Sequence, residues 1–252
     1  MIYSSPLFTR LMESALVASG DARVARVRFG PHTTAVLLAD GRLGLAMHFD
    51  RTIDGPGREA LEGRLAGRSA KDVVGNLGSP SALESSVAVA CANALESGGP
   101  GLPGHFLDVM DLRPEDTMGM IGNFIPLLSR LRARVRELLV FEQIEEEVDG
   151  ILPAHREGEL LPRCSVVVIS GTTLVNHTLD GLLALCAGAR EVVLAGPSTM
   201  MFPEAFRSTP VTWIAGARVH SPEEVLPRIA ADFTFHDLRP FMHKILMPVP
   251  RA

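Results

Sequence analysis

Four short apolar runs in the C-terminal half of the chain each break into a loop of small and polar residues. They read Thr117-Met-Gly-Met-Ile-Gly-Asn123, Leu138-Leu-Val-Phe-Glu142, Val166-Val-Val-Ile-Ser-Gly-Thr-Thr-Leu-Val-Asn176 and Val192-Val-Leu-Ala-Gly-Pro-Ser-Thr199. Continuous apolar runs of this kind fit strands buried on both faces. Strands are predicted over about residues 117–121, 137–141, 165–169, 191–195 and 211–214. Helical segments fall between them, over about residues 124–132, 154–161, 174–186 and 203–206, and a last helix over 222–230 starts behind Ser221. Strands alternating with helices imply a parallel sheet covered on both faces. In such a sheet the loops at the carboxyl ends of the strands meet in one crevice, and ligands bind there.

The first part of the chain follows a different pattern. Residues 6–18 read as a helix, and Val24–Phe29, Thr33–Leu38 and residues 43–46 read as strands. Asp40-Gly41 is a hairpin signal between the last two. Short helices are predicted over 60–65 and 70–77, and a longer one over 81–95. Ser81 and Glu84 make a capping box for that helix, and Leu83, Val87, Cys91 and Ala94 lie on one face of it. Ser97-Gly-Gly-Pro-Gly-Leu-Pro-Gly104 then breaks the chain. The expected fold class is α/β. A smaller α+β domain over residues 1–112 precedes a Rossmann-like parallel-sheet domain over 113–252, and the tail over 233–252 fits no element pattern.

Composition narrows the function classes. The 252 residues are 46% hydrophobic, ample for a buried core, and the net charge is −5. No basic stretch alternates with aromatics, so no nucleic-acid partner is expected. No apolar run reaches the ~18 residues of a membrane helix. Met1-Ile-Tyr-Ser-Ser-Pro6 lacks the layout of a signal peptide, so the expected compartment is the cytoplasm. Cys91, Cys164 and Cys186 form no C-x-x-C pair, which argues against a disulfide framework or a thiolate zinc site. The eight histidines show no H-x-x-H spacing, so a metal site would have to be assembled from distant residues. No nucleophile elbow or Walker loop is present.

The candidate binding residues sit in the crevice loops. Gly119, Gly122 and Asn123 place a Gly-x-x-Gly turn between a strand and a helix start, where backbone amides approach a ligand. The same pattern serves a plain tight turn. Glu142 follows ~20 residues later, where dinucleotide-binding folds put an acid on a ribose diol; it also begins the charge run over 142–149. Ser170, Gly171, Thr172, Thr173 and Asn176 are read as a threonine-capped helix start able to hold a carboxylate or carbonyl, with His177 in its first turn. Gly196, Ser198 and Thr199 form a fourth loop. Asn93 lies on a polar strip with Ser86 and Ala90 that could face the neighbouring domain.

The same segments carry a resemblance. His32-Thr-Thr-Ala-Val36, Gly41-Arg-Leu-Gly-Leu-Ala46 and Ala92-Asn-Ala-Leu95 match in the first domain. Gly119-Met-Ile-Gly-Asn-Phe124, Val140-Phe-Glu142, Ser170-Gly-Thr-Thr-Leu-Val-Asn-His-Thr-Leu179 and Gly196-Pro-Ser-Thr199 match in the second. Together they resemble the putative heavy-metal chelation family of uncharacterised prokaryotic proteins, over nearly the whole chain. The resemblance implies a domain like the N-terminal part of enolase ahead of a Rossmann-like domain, with a ligand site in the cleft between them. It further implies metal homeostasis, with a metal ion or metal chelate held by Asn93, Glu142, Asn176 and His177. His177 stands where the family pattern carries Gly. The residues themselves support a second reading, an enzyme using S-adenosylmethionine for aminopropyl-type transfer or cyclisation, with Glu142 on the ribose. A third reading is a non-catalytic small-molecule-binding module. A homo-oligomer is compatible with each.

Overall fold

The computed structural model describes residues 2–48, 55–96, 98–122, 124–231, 233 and 237–251. Among them two sheets form. The smaller is an antiparallel meander of β1 (Val24–Phe29), β2 (Thr33–Leu38) and β3 (Leu43–Met47). Gly41, with φ 89°, turns the hairpin between β2 and β3 in the left-handed region open to glycine. The Ala82–Glu96 helix packs on this sheet and is buried from Leu83 to Leu95 at every position but Glu84. The expected single buried face is therefore too narrow. The sheet covers one side of the helix, and the Pro6–Ser19 and Ala70–Val74 helices cover others. The capping box also closes differently. Ser81 Oγ accepts from Glu84 N at 3.3 Å, but the Glu84 carboxylate takes the Ser79 hydroxyl at 2.6 Å.

The opposite face of the small sheet is closed from the other end of the chain. Ala35, Leu43 and Leu45 pack with Val225, Leu226 and Ile229 of the Pro222–Ala230 helix. The two parts of the molecule thus share cores.

The larger sheet contains β4 (Leu102–Pro103), β5 (Thr117–Ile121), β6 (Glu137–Glu142), β7 (Ile151–Pro153), β8 (Val166–Ser170), β9 (Glu191–Ala195), β10 (Trp213–Val219) and β11 (Met242–Pro248). Its order is β4-β11-β10-β9-β8-β5-β6-β7. From β10 to β7 every pairing is parallel, while β11 runs antiparallel to β10 and to β4. Counted from β5, the parallel strands follow the 3-2-1-4-5-6 order of a doubly wound Rossmann fold, and the direction of winding reverses between β5 and β8. Both faces are buried as expected. Val167 and Ile169 of β8 join the core shared with the Ala82–Glu96 helix, while Val166 and Val168 join a second core with Phe106, Met118 and Leu131.

Three strands escaped the sequence pattern, the first being β4, a two-residue edge pairing inside the Gly- and Pro-rich break. β7 has three residues at an edge, and β11 lies in the tail that fits no pattern, with only Ile245, Leu246 and Met247 buried. Several helices are shorter or more broken than expected: residues 70–77 are helical only over Ala70–Val74, and 154–161 give Glu157–Leu160 between two 3-10 turns. Residues 124–132 give a 3-10 turn at Ile125–Leu127 and a short helix at Leu128–Arg132, and residues 174–186 split into Thr172–Val175 and Leu179–Leu185. Among the described residues no helix is long and apolar enough to cross a membrane.

Candidate functional site

A cleft of about 1400 Å³ opens at the carboxyl ends of the parallel strands. Its lining includes Ile121 at the end of β5, Gly122 just beyond it, and Ser170 at the end of β8, the two strands flanking the point where the winding reverses. Met47 and the start of the Ala82–Glu96 helix border it from the side of the small sheet. Ala215, Gly216 and Ala217 of β10 also line it, and their small side chains leave the space open.

Seven of the residues singled out from sequence reach this cleft: Gly122, Glu142, Ser170, Thr172, Thr173, Asn176 and Gly196. Gly122 and Gly196 have φ of 94° and 123°. A Cβ at Gly122 would also lie 2.9 Å from Ser170 Cβ, so glycine is required there for both conformation and space. Glu142 ends β6 half-buried, and its Oε2 accepts from Gln143 N at 3.3 Å.

The threonine loop is built differently from the expected cap. Thr173 Oγ1 donates to Ser170 O at 2.7 Å, and the Ser170 and Thr172 hydroxyls bond each other at 2.8 Å. The helix beyond ends after one turn because Asn176 folds back. Its Oδ1 accepts from Thr178 N and Oγ1, and His177 takes φ 60°. Asn side chains compete with helical backbone in this way. That left-handed region is one a residue other than glycine seldom enters.

The remaining described candidates do not line the cleft, and three of them, Asn93, His177 and Ser198, join the two parts of the molecule. Ser198 Oγ accepts from Met47 N at 2.7 Å. Asn93 Nδ2 donates to Leu45 O and to Pro197 O, both at 3.0 Å. Gly171 is needed for close packing, since a Cβ there would fall 2.5 Å from Thr199 N, and Thr199 is itself buried. Gly119 faces Leu161 and Cys164 under the sheet. His177 stacks on Tyr3 with ring centroids 4.9 Å apart, and its Nε2 lies 3.3 Å from both Ser85 Oγ and Leu77 O. Burial, partly opposed by the Leu77 carbonyl, holds that imidazole below its ordinary pKa. Asn123 lies outside the described residues. Replacing Asn93 with alanine would remove the donor from the Leu45 carbonyl, in a buried bond, and from the Pro197 carbonyl, in a half-buried one, and the expected loss is about 2 kcal/mol in denaturant unfolding. An unchanged midpoint would show that the clamp carries no stability.

Sequence reasoning missed the basic side of the cleft. His105, Arg130, Arg239 and Lys244 all line it. They come from three separate stretches of chain, around residues 105, 130 and 239–244, so no local spacing announces them. His105 Nδ1 accepts from Leu107 N at 3.2 Å, and its own backbone N donates to Asp108 Oδ2 at 2.7 Å. Burial and then the charge of Lys244 bring its pKa down to about 4, with Arg130 and Arg239 adding to the effect and Asp108 opposing it. The ring is therefore neutral near pH 7, and with Nδ1 accepting, its proton sits on Nε2. Partial burial and the Arg239 charge likewise pull the Lys244 ammonium below its ordinary value. On the acid side, burial alone pushes the Glu157 carboxyl up to about 7.

Among the described residues, no group of three or more His, Cys, Asp or Glu side chains is placed to hold a metal ion. The cysteines are buried, and burial raises the thiols of Cys91, Cys164 and Cys186 to about 12, 11 and 12. Metal coordination needs the thiolate.

Comparison with known proteins places this architecture. A family model described as putative heavy-metal chelation matches residues 105–248, and a second with the same description matches residues 11–96. The chain belongs to this family. It is similar in structure to a family protein of unknown function from Pyrococcus horikoshii, with 23% identity, 96% of this chain and 100% of the other covered, and a TM-score of 0.81. A second, from Desulfitobacterium hafniense, is 22% identical over 96% of this chain and 99% of the other, with a TM-score of 0.79. At these identities the likeness shows the fold alone. An uncharacterized protein of Methanocaldococcus jannaschii is 34% identical over 111 residues, so the match spans 43% of this chain and 43% of that relative.

Proposed function

We propose that the cleft binds a small organic metal chelate or the free chelator, so that the protein meets the metal through the ligand's own donor atoms. The observation that carries this reading is the composition of the cleft. It is large, it lies where doubly wound sheets bind ligands, and it pairs a basic side with Glu142 and Glu157, with no cluster of metal-binding side chains among the described residues. Chelators are typically rich in carboxylates, which suit the basic side; a bare cation does not. The family description agrees with a metal-related role.

Glu142 favours a second reading. It ends β6, directly beside β5 and its Gly122 turn, where an acid can accept both hydroxyls of a ribose. In that reading the cleft holds S-adenosylmethionine and the Ser170–Thr173 loop faces its amino-acid end.

Thermal unfolding separates the two. A ligand that binds only the folded state at a hundred times its dissociation constant adds ~2.7 kcal/mol, roughly 5–10 °C for a chain of this size. Citrate complexes of iron(III), nickel(II) and copper(II), the metal salts alone and S-adenosylmethionine are the probes. The chelate reading expects a dose-dependent rise with a complex and none with the bare salts. A rise with S-adenosylmethionine that vanishes in Glu142→Ala would transfer the cleft to the second reading. Stabilisation by metal salts alone would sink the chelate reading.

A further inference from the structure

We infer that His105, Arg130, Arg239 and Lys244 form an anion subsite within the cleft, and that the ligand is an organic polyanion whose carboxylates or phosphates seat there. This deepens the proposed function and rests on its reading of the cleft as a ligand site.

The groups are brought together by tertiary structure. His105 follows β4, Arg130 lies on the Leu128–Arg132 helix, Arg239 on a 3-10 turn before β11, and Lys244 on β11 itself. All four line the same cleft. The His105 segment is held against the β5–β6 connection by Phe106, whose ring packs edge-to-face on Phe124 at 6.0 Å between centroids. The Gly104 amide donates to Lys244 O at 3.3 Å, which fixes the same segment to β11.

The cations are not spent on structure. Among the described residues, Arg28, Arg42, Arg113, Arg156, Arg190, Arg207 and Arg228 each pair with a carboxylate, whereas Arg130, Arg239 and Lys244 make no such pair. Gathering like charges opposes folding, and in a chain of net charge −5 the gathering is not a by-product of composition. Among the described residues lining the cleft, three cations stand with two carboxylic acids, Glu142 and Glu157, and burial raises the Glu157 carboxyl above its ordinary value. Asp108 accepts from the His105 backbone amide. Guanidinium groups present paired donors that match the oxygens of a carboxylate or phosphate, and lysine adds a point charge. The neutral His105 ring contributes an Nε2–H donor to the same oxygens.

The test titrates citrate and pyrophosphate separately into the full chain, by calorimetry and thermal unfolding. Three proteins are compared: wild type, the double variant Arg239→Gln/Lys244→Gln, and the control Arg64→Gln/Lys71→Gln, which removes the same charge from exposed positions of the first domain. The substituted cleft residues are also exposed, so the variants keep the fold, as the ligand-free unfolding midpoint will show. Wild type and control are expected to bind at least one anion saturably, and the cleft variant to bind it about tenfold more weakly or worse, in line with the loss of charged hydrogen bonds. Affinity should also fall when salt rises from about 0.01 M to about 1 M, which shortens the Debye length from about 30 Å to about 3 Å. Preference for citrate assigns carboxylate ends to the ligand, and preference for pyrophosphate assigns phosphates. No saturable binding of either anion, or equal affinity in wild type and cleft variant, overturns the subsite. A metal-citrate complex that still stabilises the cleft variant fully would remove this subsite and leave the chelate reading standing. Loss of anion binding in the variant without a wild-type response to any metal complex would do the reverse.

Discussion

Replacing Arg190 with alanine is expected to cost about 3 kcal/mol or more of folding stability, because it strands a buried carboxylate. Asp116 precedes β5 with its side chain 2% exposed, and Arg190 holds it through two guanidinium nitrogens at 2.9 and 3.0 Å. Ser165 Oγ and Arg113 N complete its shell at 2.6 and 2.8 Å. The four residues tie the amino ends of β5, β8 and β9 together. The Arg190 hydrogen bonds, helped by Ser165 and Arg113 and opposed by burial, keep the Asp116 carboxyl well below the usual carboxylate range. A depressed pKa in the folded state fixes the sign. The stabilisation is complete above the unfolded value of about 3.9 and is lost as pH falls toward the folded value. Urea unfolding of Arg190→Ala should therefore show a large loss at neutral pH and a weaker dependence on pH below about 4 than wild type. Equal midpoints at neutral pH would mean that the pair adds nothing.

Gly44→Ala is expected to cost about 3 kcal/mol or more, at the upper end for overpacking, or to prevent folding. A Cβ on this β3 residue would lie 2.1 Å from Ala90 O, 2.2 Å from Ala94 N and 2.8 Å from Asn93 C. These are backbone atoms of the enclosed Ala82–Glu96 helix, so no side chain can rotate away. The helix would have to leave the small sheet, taking Asn93 from Leu45 and Pro197 and loosening the border of the cleft. A variant that still folds should thus also lose its response to any cleft ligand. Gly181→Ala is the internal control. It lies on the Leu179–Leu185 helix with nothing within 4 Å of the added Cβ. There alanine should be neutral or gain about 0.5–1 kcal/mol. Comparable losses in both variants would refute the packing argument.

The parallel strands that could be read directly were those with strong local patterns. Val166-Val-Val-Ile169 and Val192-Val-Leu-Ala195 are apolar at every position because helices or loops cover both faces of the sheet. The Asp40-Gly41 turn marked the β2–β3 hairpin. β7 and β11 carry no such mark. An edge strand of three residues and a strand with four of its seven residues outside the core take their structure from partners rather than from their own composition.

By itself the sequence determined that short apolar runs alternate with helices, and hence that the loops after β5, β6, β8 and β9 share one end of a parallel sheet. Strand direction follows from local pattern and the handedness of crossovers, so Gly122, Glu142, Ser170 and Gly196 could be placed at one rim before any coordinates. Only the tertiary structure decided which polar residues point into the cleft and which fasten it. Ser198 and Asn93 bond backbone groups 151 and 104 positions away, and Arg130 joins Arg239 and Lys244 across the cleft from another connection. Periodicity reports which face of an element is buried. It carries no information about what a distant segment brings to that face, and this cleft is built from such distant segments.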